Sequence, residues 1–332
     1  MMGSPDAAVS MTLAQVRYAI ANTVATLEQA TATRLGCVIP VEIGAINSIV
    51  PLIAATMSGN AINWVVDGDG AGRAVPELPQ TTFGGSASLA AAPCALASDA
   101  NKPELIQSAT LNAPNATTIE SLASGIVAAF GSFSGIALWP STSANMHALT
   151  GNYIPGTLEQ ARALGSFLRH APVPPTTDGV VDEIAAITGR KASAVLTNFF
   201  ITAINQSTTA GSLDAGIIRL DNNPDQSLSS ETHYLYNLNE NLIMYSSLSS
   251  QPDMIAPDSI CYYSESTGVG FSNASNDLAV YFDAGSGKST GRSVSIIKVG
   301  ALPQLYTATG VVASFAGLLR SIGYAGALPY PT

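Results

Sequence analysis

The chain contains the stretch Cys37-Val-Ile-Pro-Val-Glu-Ile43, which is followed by an apolar segment from Ala45 to Met57 and by Asn63-Trp-Val-Val-Asp67. The two outer runs have the composition and length of β-strands, and the middle segment has the length of a helix. Strand, helix and strand with short joints form a βαβ unit, whose strands are parallel and covered on both faces. This stretch therefore predicts an α/β fold for the N-terminal part.

Three capping boxes extend the N-terminal part, because each marks the start of a helix. They are Thr12-Leu-Ala-Gln15, Thr117-Thr-Ile-Glu120 and Thr157-Leu-Glu-Gln160. Two further apolar runs, within 86–96 and at 136–139, are expected to be strands between these helices. The pattern of alternating helices and strands continues to about residue 190.

The C-terminal part has a different sequence pattern, in which short runs of β-forming residues are separated by turn-rich sequence. The predicted strands are Ala194–Thr202, Ala215–Leu220, His233–Leu238, Ile260–Tyr263, Leu278–Phe282 and Ser293–Val299. Such a series indicates an antiparallel sheet or a barrel, and a last apolar helix at about 307–322 is expected to close it. We therefore predict two domains, an α/β domain at 1–190 that carries the functional site and a β-rich domain at 191–332.

The composition excludes several classes of protein. Hydrophobic residues make up 47% of the chain and charged residues only 11%, which is typical of a folded protein with a weakly charged surface. The net charge is −10 and the 13 Lys and Arg residues form no cluster, so neither nucleic acid nor a membrane surface is expected as a partner. A weakly charged surface is also compatible with a homo-oligomer. The absence of a signal sequence predicts a cytoplasmic protein.

The cysteines and histidines show no metal-binding spacing. Cys37, Cys94 and Cys261 are far apart, so neither a disulfide framework nor a structural zinc site is expected. The histidines, at positions 147, 170 and 233, belong to no close-ligand motif.

The most informative stretch for function is Asp67-Gly-Asp-Gly-Ala-Gly-Arg-Ala-Val-Pro-Glu77, at the end of the second predicted strand. Ligand crevices of α/β sheets form at the carboxyl ends of strands. Carboxylates two residues apart can share a metal or a proton, and an arginine can hold an anionic group with two hydrogen bonds. The alternative is a tight turn with solvated charges. The glycine spacing does not fit the dinucleotide-binding motif, and Gly285-Ser-Gly-Lys-Ser-Thr290 lacks the first glycine of a phosphate-binding loop.

Several stretches together resemble the S-methyl-thiohydantoin desulfurase domain family, which is associated with hydantoinase/oxoprolinase-type proteins. The most specific are Val41-Glu-Ile-Gly-Ala-Ile-Asn-Ser-Ile-Val-Pro51, Asp67 to Leu78 and Thr81-Thr-Phe83. Weaker fragments are Met2-Gly-Ser-Pro5, Ile154-Pro-Gly-Thr157, Asn239-Glu-Asn-Leu242 and Pro257-Asp-Ser-Ile-Cys261. Members usually begin with a Gly-Thr-Gly-Gly-Gly type of segment, which is not found before Met1. We expect either a truncated start or a divergent member.

The resemblance implies hydrolytic removal of sulfur from a thiohydantoin- or hydantoin-like cyclic imide. Water attacks the C2 carbon of the ring, and a carboxylate takes its proton. The expected catalytic residues are Asp67, Asp69 and Glu77, with Asp67 and Asp69 also as candidate ligands of a divalent metal. The expected substrate-binding residues are Arg73, Gly68, Gly70, Gly72, Glu42, Asn47, Asn239 and Glu240. The alternative hypothesis is a non-catalytic subunit or ligand-binding partner of a hydantoinase/oxoprolinase-type enzyme.

Overall fold

The structure, a computed structural model, describes residues 1–142, 151–208 and 213–330. Its α-helices in these ranges are α1 (Pro5–Val9), α2 (Leu13–Thr31), α3 (Val50–Thr56), α4 (Ala116–Ala129), α5 (Thr157–His170), α6 (Thr177–Thr188), α7 (Ser275–Leu278), α8 (Pro303–Thr307) and α9 (Val311–Ser321). None of these helices is long and apolar enough to cross a lipid bilayer. His147 lies outside the described residues.

The strands fall into one small sheet, one large sheet and three short pairs. They are β1 (Met2–Gly3), β2 (Cys37–Val38), β3 (Trp64–Val65), β4 (Gly68–Asp69), β5 (Cys94–Ala97), β6 (Ser108–Leu111), β7 (Phe133–Ala137), β8 (Ile154–Pro155), β9 (Ala192–Thr208), β10 (Asp214–Asp221), β11 (Thr232–Leu238), β12 (Glu240–Ser246), β13 (Pro252–Ile255), β14 (Ser259–Ser264), β15 (Val269–Phe271), β16 (Phe282–Asp283), β17 (Lys288–Ser289) and β18 (Val294–Val299).

The N-terminal sheet has the order β1-β7-β5-β6, and every pair in it is antiparallel. Helices α2 and α4 pack on this sheet. The capping box of α2 is present, since the Thr12 hydroxyl accepts from the Gln15 N–H and the Gln15 side chain accepts from the Thr12 N–H. Helix α2 buries Ala19, Ile20, Thr23 and Leu27, which follow the helical period.

The strand–helix–strand stretch at 37–67 is smaller than predicted. Strands β2 and β3 are parallel, as expected, but each is two residues long. Their predicted burial on both faces is wrong, because the Trp64 side chain is 73% exposed. Helix α3 begins at Val50 rather than Ala45, since Pro51 fits the first turn of a helix.

The predicted capping boxes of α4 and α5 are wrong in detail, although both helices exist. Asn115 caps α4, and its side-chain oxygen accepts from the Thr118 N–H at 2.9 Å. Gly156 occupies the cap position of α5, so Thr157 is already the first residue of that helix. Because Asn115 caps α4, the Glu120 side chain is not needed for capping and instead accepts from the Leu78 N–H.

The β-rich part forms an eight-stranded antiparallel sheet in the order β13-β12-β11-β10-β9-β18-β14-β15. The 17-residue strand β9 pairs with β18 through its first half and with β10 through its second half. No ladder joins β13 to β15 in the described part of the chain, so the sheet is open rather than a barrel. The β-rich architecture with a helix at the C-terminal end confirms the predicted fold class.

Several details of the β-rich part differ from the prediction, which also lacked the short strands β13, β15 and β17. The strand predicted at 278–282 is wrong except at its last residue, because Leu278 ends helix α7, a turn follows, and only Phe282 belongs to a strand, the two-residue β16. Tyr281 and Phe282 both lie in the core of the large sheet. Strand β12 was missed because it follows β11 after the single residue Asn239, whose φ of 54° reverses the chain. Helix α9 covers one face of the sheet through Val311, Phe315 and Leu319.

Candidate active site

A cavity of about 340 Å³ lies where both parts of the chain meet, a size suited to a small molecule. Most of its wall is apolar and comes from many elements, including α2, α3, β7 and the segment around β2. The polar side chains that line it are Thr23, Cys37, Glu42, Asn47, Glu77, Glu120, Ser141, Asn239 and Glu240. Four of these side chains are carboxyl groups, so the polar part of the wall is acidic.

Glu42 lies in the loop that follows β2 and is 7% exposed. Burial, reinforced by the charge of Glu240, raises the pKa of Glu42 to about 8. Asn47 donates a short hydrogen bond to Oε1, whereas Oε2 has no hydrogen-bond partner among the described residues. At neutral pH this carboxyl is protonated, so its free oxygen can donate a hydrogen bond to a ligand in the cavity.

Glu120 and Glu77 form a second acidic group in the wall. Glu120, on α4, accepts from the Leu78 N–H at 2.9 Å and from the Ser124 hydroxyl at 3.3 Å. Burial raises the pKa of Glu120 to about 7, and the charge of Glu77 adds to that rise although the two hydrogen bonds oppose it. Burial also raises the pKa of Glu77. One of the two carboxyls therefore tends to hold a proton when the other is charged.

Glu240 reaches the cavity from the turn between β11 and β12. Burial raises the pKa of Glu240, while the Arg73 charge opposes that rise. Asn239 shapes the turn, because its side-chain oxygen accepts from the Asp214 N–H at 2.8 Å. The β-rich part thus contributes one ionisable group, and Asn239 holds it in place.

Asp69 does not line the cavity, although it is completely buried. Its Oδ2 accepts from the N–H groups of Ala71 and Gly72, both at 2.8 Å, which shapes the turn after β4. Burial raises the pKa of Asp69 to about 6. The other oxygen makes no well-formed hydrogen bond in the described structure, although the nearby Thr157 hydroxyl lowers the pKa.

Asp67 is exposed and caps helix α5. Its Oδ1 accepts from the N–H groups of Leu158 and Glu159, at 2.9 and 3.3 Å. Negative charge at this end of a helix is also favoured by the helix dipole. The carboxyls of Asp67 and Asp69 therefore serve two separate turns of backbone, an arrangement that does not suit a shared metal. The described residues contain no group of three or more His, Cys, Asp or Glu side chains that could hold a metal ion.

Arg73 is buried among backbone carbonyls instead of facing the cavity. Its guanidinium donates to the carbonyls of Ala74, Pro257, Asp258 and Asn241 at 2.6–3.2 Å. It also lies 5.7 Å from the centre of the Phe315 ring. Since four of its five N–H groups can be occupied in this way, we explain Arg73 as a structural link between the two parts of the chain.

The glycines of this stretch allow close packing. A Cβ on Gly70 would lie 2.7 Å from the Val41 carbonyl oxygen and the Phe83 ring, and one on Gly68 would lie 2.6 Å from the Ile154 carbonyl oxygen. Gly72 has a φ of 63°, which an L side chain rarely adopts. None of the three lines the cavity.

The structure thus divides the predicted site residues into two groups. The group that lines the cavity is Glu42, Asn47, Glu77, Asn239 and Glu240. The group that lies outside it is Asp67, Gly68, Asp69, Gly70, Gly72 and Arg73.

Comparison with known proteins gives one family for the whole chain. Residues 1–108 match the S-Me-THD-like N-terminal domain and residues 114–312 match the S-Me-THD-like C-terminal domain. The chain belongs to the S-Me-THD-like family. These matches confirm the resemblance to the S-methyl-thiohydantoin desulfurase domain family. They place a division at 108–114, whereas the large sheet begins at Ala192, and the domain boundary at 190 stays a prediction.

A solved relative has the same fold. The crystal structure of a protein from Chromobacterium violaceum, a structural genomics target, superposes with a TM-score of 0.76 at 26% sequence identity. The alignment covers 99% of this chain and 82% of that protein. No curated protein matches the chain.

Two residues in the wall of this S-Me-THD-like cavity were missed by sequence reasoning. Glu120 was assigned to a capping box, and only the cap at Asn115 frees its side chain to face Leu78 and the cavity. Trp139 also lines the cavity, with a φ of 54° and its ring centre 5.4 Å from that of Phe83. An aromatic residue in this strained conformation is a candidate functional residue. No local pattern in the sequence indicates it.

The acidic wall provides groups for proton transfer near neutral pH. A carboxyl with a pKa of about 8 is a proton donor at pH 7, and one with a pKa of about 7 is poised as an acceptor. Burial, which removes water from around both groups, causes both shifts. Raised carboxyl pKa values in an enclosed hollow are typical of active sites, although buried structural carboxyls show them too.

Proposed function

We propose that this chain is a hydrolase that removes sulfur from a thiohydantoin-like cyclic imide in the cavity lined by Glu42, Glu77, Glu120 and Glu240. The observation that carries the proposal is the presence, in the wall of one cavity, of a carboxyl that is protonated at neutral pH and a second acidic group able to accept a proton. Membership of the S-Me-THD-like family supports the choice of ring.

In the proposed reaction one acidic group accepts a proton and another donates one. The Glu77–Glu120 pair takes a proton from water, whose oxygen forms a bond to C2 of an S-methylated ring. The C2–S bond breaks as the Glu42 carboxyl delivers a proton to the leaving sulfur. Methanethiol leaves and a hydantoin remains, with the second proton of the water on the ring nitrogen. The proton held by the Glu77–Glu120 pair then passes through solvent to Glu42, which restores both groups for the next turnover. Partial charge on the ring oxygen is stabilised by protonated carboxyl groups in a water-poor cavity.

The direct test is turnover by the purified protein. Methanethiol release from an S-methyl-thiohydantoin and sulfide release from a 2-thiohydantoin are measured with a thiol reagent, and the hydantoin product is identified by mass spectrometry. We expect release from at least one of these rings. A folded protein that releases neither product from either ring contradicts the proposal.

Isosteric variants identify the residues that transfer protons. Glu42→Gln keeps a hydrogen-bond donor but cannot transfer a proton, so we expect kcat to fall by about 10²–10⁴-fold. Glu77→Gln and Glu120→Gln are expected to reduce kcat in the same range. Glu104→Gln is the matched control, because Glu104 is exposed and lies outside the cavity. Asp67→Asn tests the sequence-based prediction, since a comparable loss in that variant would favour Asp67 as a catalytic residue.

A non-catalytic subunit of a hydantoinase/oxoprolinase-type enzyme is the second candidate. The observation in its favour is an apolar surface formed by α3 and the turn before it, where Ile46, Ile49 and Leu52 are 36%, 53% and 48% exposed. Such surfaces are typical of subunit contacts. Light scattering of the protein with and without such an enzyme distinguishes the candidates: a stable complex that is required for turnover supports the subunit, and turnover by a lone homo-oligomer excludes it.

We also infer that the protein acts in the cytoplasm. Support comes from the cysteines, since Cys37, Cys94 and Cys261 are all free thiols in the structure. Free thiols are typical of a reducing compartment. Fractionation of cells that produce the protein at native level tests this location.

A further inference from the structure

The charge of the cavity wall limits the ligands that it can accept. Its described residues include four carboxyl groups and no Lys, Arg or His side chain. Arg73, the arginine of the Asp67–Glu77 stretch, does not line the cavity and donates its hydrogen bonds to backbone carbonyls. The Met1 amine also lines the cavity and donates to Asn47 at 2.7 Å, but burial lowers its pKa to about 6, so it is mainly neutral at pH 7. An anionic substituent would therefore lose its hydration here without gaining a charged side-chain partner, which is strongly unfavourable.

The remainder of the wall is largely apolar, and several elements contribute to it. Val24 and Leu27 lie on α2, Leu35 and Val38 lie at or beside β2, and Ile136 lies on β7. These side chains offer a surface on which an aliphatic group can be buried. Each fully buried aliphatic side chain of the size of leucine contributes roughly 10–100-fold to affinity.

Trp139 provides a flat surface in the same wall. Its indole ring packs on Phe83, which fixes one side of the ring system. A five-membered imide ring is planar and can stack on an indole face. The cavity therefore presents three kinds of surface to one ligand, namely an aromatic face, protonated carboxyl groups and an aliphatic pocket.

We propose that the cavity selects an uncharged imide ring with an aliphatic substituent at C5 and rejects rings with a carboxylate-bearing substituent. This inference rests on the proposed function for the choice of ring, but it concerns binding and not turnover. In the uncharged ligand the carbonyl and N–H groups face the carboxyls, and the aliphatic substituent contacts the wall formed by α2 and β2.

Intrinsic fluorescence gives a binding assay, since the chain has 2 tryptophans and only Trp139 lines the cavity. The variant Trp64→Phe removes the exposed one and leaves Trp139 as the reporter. We titrate this variant at pH 7 with 5-isobutylhydantoin, hydantoin-5-acetic acid and 5-(3-aminopropyl)hydantoin. We expect the isobutyl ring to change the Trp139 signal and to bind at least 10-fold more tightly than the acetate ring. Equal or tighter binding of the anionic or cationic ring, or no binding of the isobutyl ring, overturns the inference.

A single cation introduced at the edge of the cavity should reverse the preference. Cys37 is exposed and lines the cavity, so a longer side chain can be placed there with little disturbance of the core. We expect Cys37→Arg to tighten binding of hydantoin-5-acetic acid at least 5-fold, and Cys37→Ser to leave the ratio of the two affinities unchanged. Thermal unfolding of both variants shows that they fold. A folded Cys37→Arg protein whose ratio does not move contradicts the proposed electrostatic basis of selection.

The binding and turnover experiments can each reject one proposal without rejecting the other. If the isobutyl ring binds preferentially but no thiohydantoin is turned over, the selectivity stands and the hydrolase is wrong. If rings are turned over with a preference for the carboxylate-bearing substituent, the hydrolase stands and the selectivity is wrong.

Discussion

At the scale of single residues, burial sets the chemistry of the cavity. Glu42 and Glu120 are 7% and 8% exposed, and this removal from water raises the pKa of Glu42 to about 8 and that of Glu120 to about 7. Their hydrogen bonds from Asn47 and Leu78 oppose the shift without cancelling it. The same burial that prepares a group for proton transfer destabilises the fold whenever that group must be charged.

Glu42 is expected to make stability fall as pH rises. The pKa of a glutamate in the unfolded chain is about 4.5 and that of folded Glu42 is about 8, so between these values the folded state keeps a proton that the unfolded state has released. Its contribution is therefore favourable below pH 4.5 and lost as pH approaches 8, a change on the order of 4 kcal/mol. We expect Glu42→Gln to raise the free energy of urea unfolding by about 2–4 kcal/mol at pH 8 and by less than about 1 kcal/mol at pH 5. An equal effect at both pH values contradicts the assignment.

The dependence of kcat/KM on pH should be bell-shaped. Activity requires the Glu77–Glu120 pair to have lost a proton, so it rises as pH increases through about 7. It also requires Glu42 to be protonated, so it falls as pH increases through about 8. Initial rates at low substrate concentration from pH 5.5 to 9.5 measure both limbs. Retention of the upper limb in a Glu42→Gln variant with residual activity would show that another group controls it.

At the scale of elements, short connections and not long strands position the site. Strands β2, β3, β4 and β8 contain two residues each, and the segments after them carry Glu42 and Glu77. Side-chain caps fix the starts of two neighbouring helices: Asp67 accepts from the first turn of α5, and Asn115 accepts from the first turn of α4. An α/β pattern was therefore correct in kind, but its strands were predicted too long because apolar composition marks burial as well as pairing.

The cap provided by Asp67 should contribute to stability and not to catalysis. Asp67→Ala removes the acceptor for two N–H groups of α5, so we expect a loss of about 1 kcal/mol in the free energy of unfolding. Asp67→Asn keeps an acceptor and is expected to lose less. Urea unfolding measures both, and the activity of each variant is expected to stay within about 3-fold of the original. A large loss of activity in a stable Asp67→Asn protein would instead restore the sequence-based assignment.

At the scale of the whole molecule, the site depends on the contact between the N-terminal part and the large sheet. Glu240 enters the cavity from the turn of β11 and β12, and Arg73 reaches from the N-terminal part to carbonyls around β12 and β14. Helix α9 packs on the sheet beside Ala71 and Phe315 contacts Arg73. Neither part alone contains all four acidic residues.

Arg73 is expected to stabilise the contact between the N-terminal part and the large sheet. Arg73→Lys keeps the charge but cannot reach the carbonyls of Pro257, Asp258 and Asn241 together, so buried acceptors lose their partners. We expect a loss of about 3 kcal/mol in the free energy of urea unfolding. Arg162→Lys, at an exposed ion pair, is the control and should show no measurable change. A rise in KM with unchanged stability would contradict this role and favour the predicted anchoring of substrate.

The family, the α/β part followed by a β-rich part, and three acidic residues of the cavity wall (Glu42, Glu77 and Glu240) could be predicted from the amino-acid sequence. Those properties follow from local composition, capping and motif order, which are written in consecutive residues. Which carboxyls share a cavity depends on contacts between distant segments. Glu120 faces Leu78 because Asn115, and not Thr117, caps its helix, and Asp67 accepts hydrogen bonds from two N–H groups of α5. The burial that shifts the pKa of Glu42 comes from segments far apart in sequence, so no local pattern encodes it.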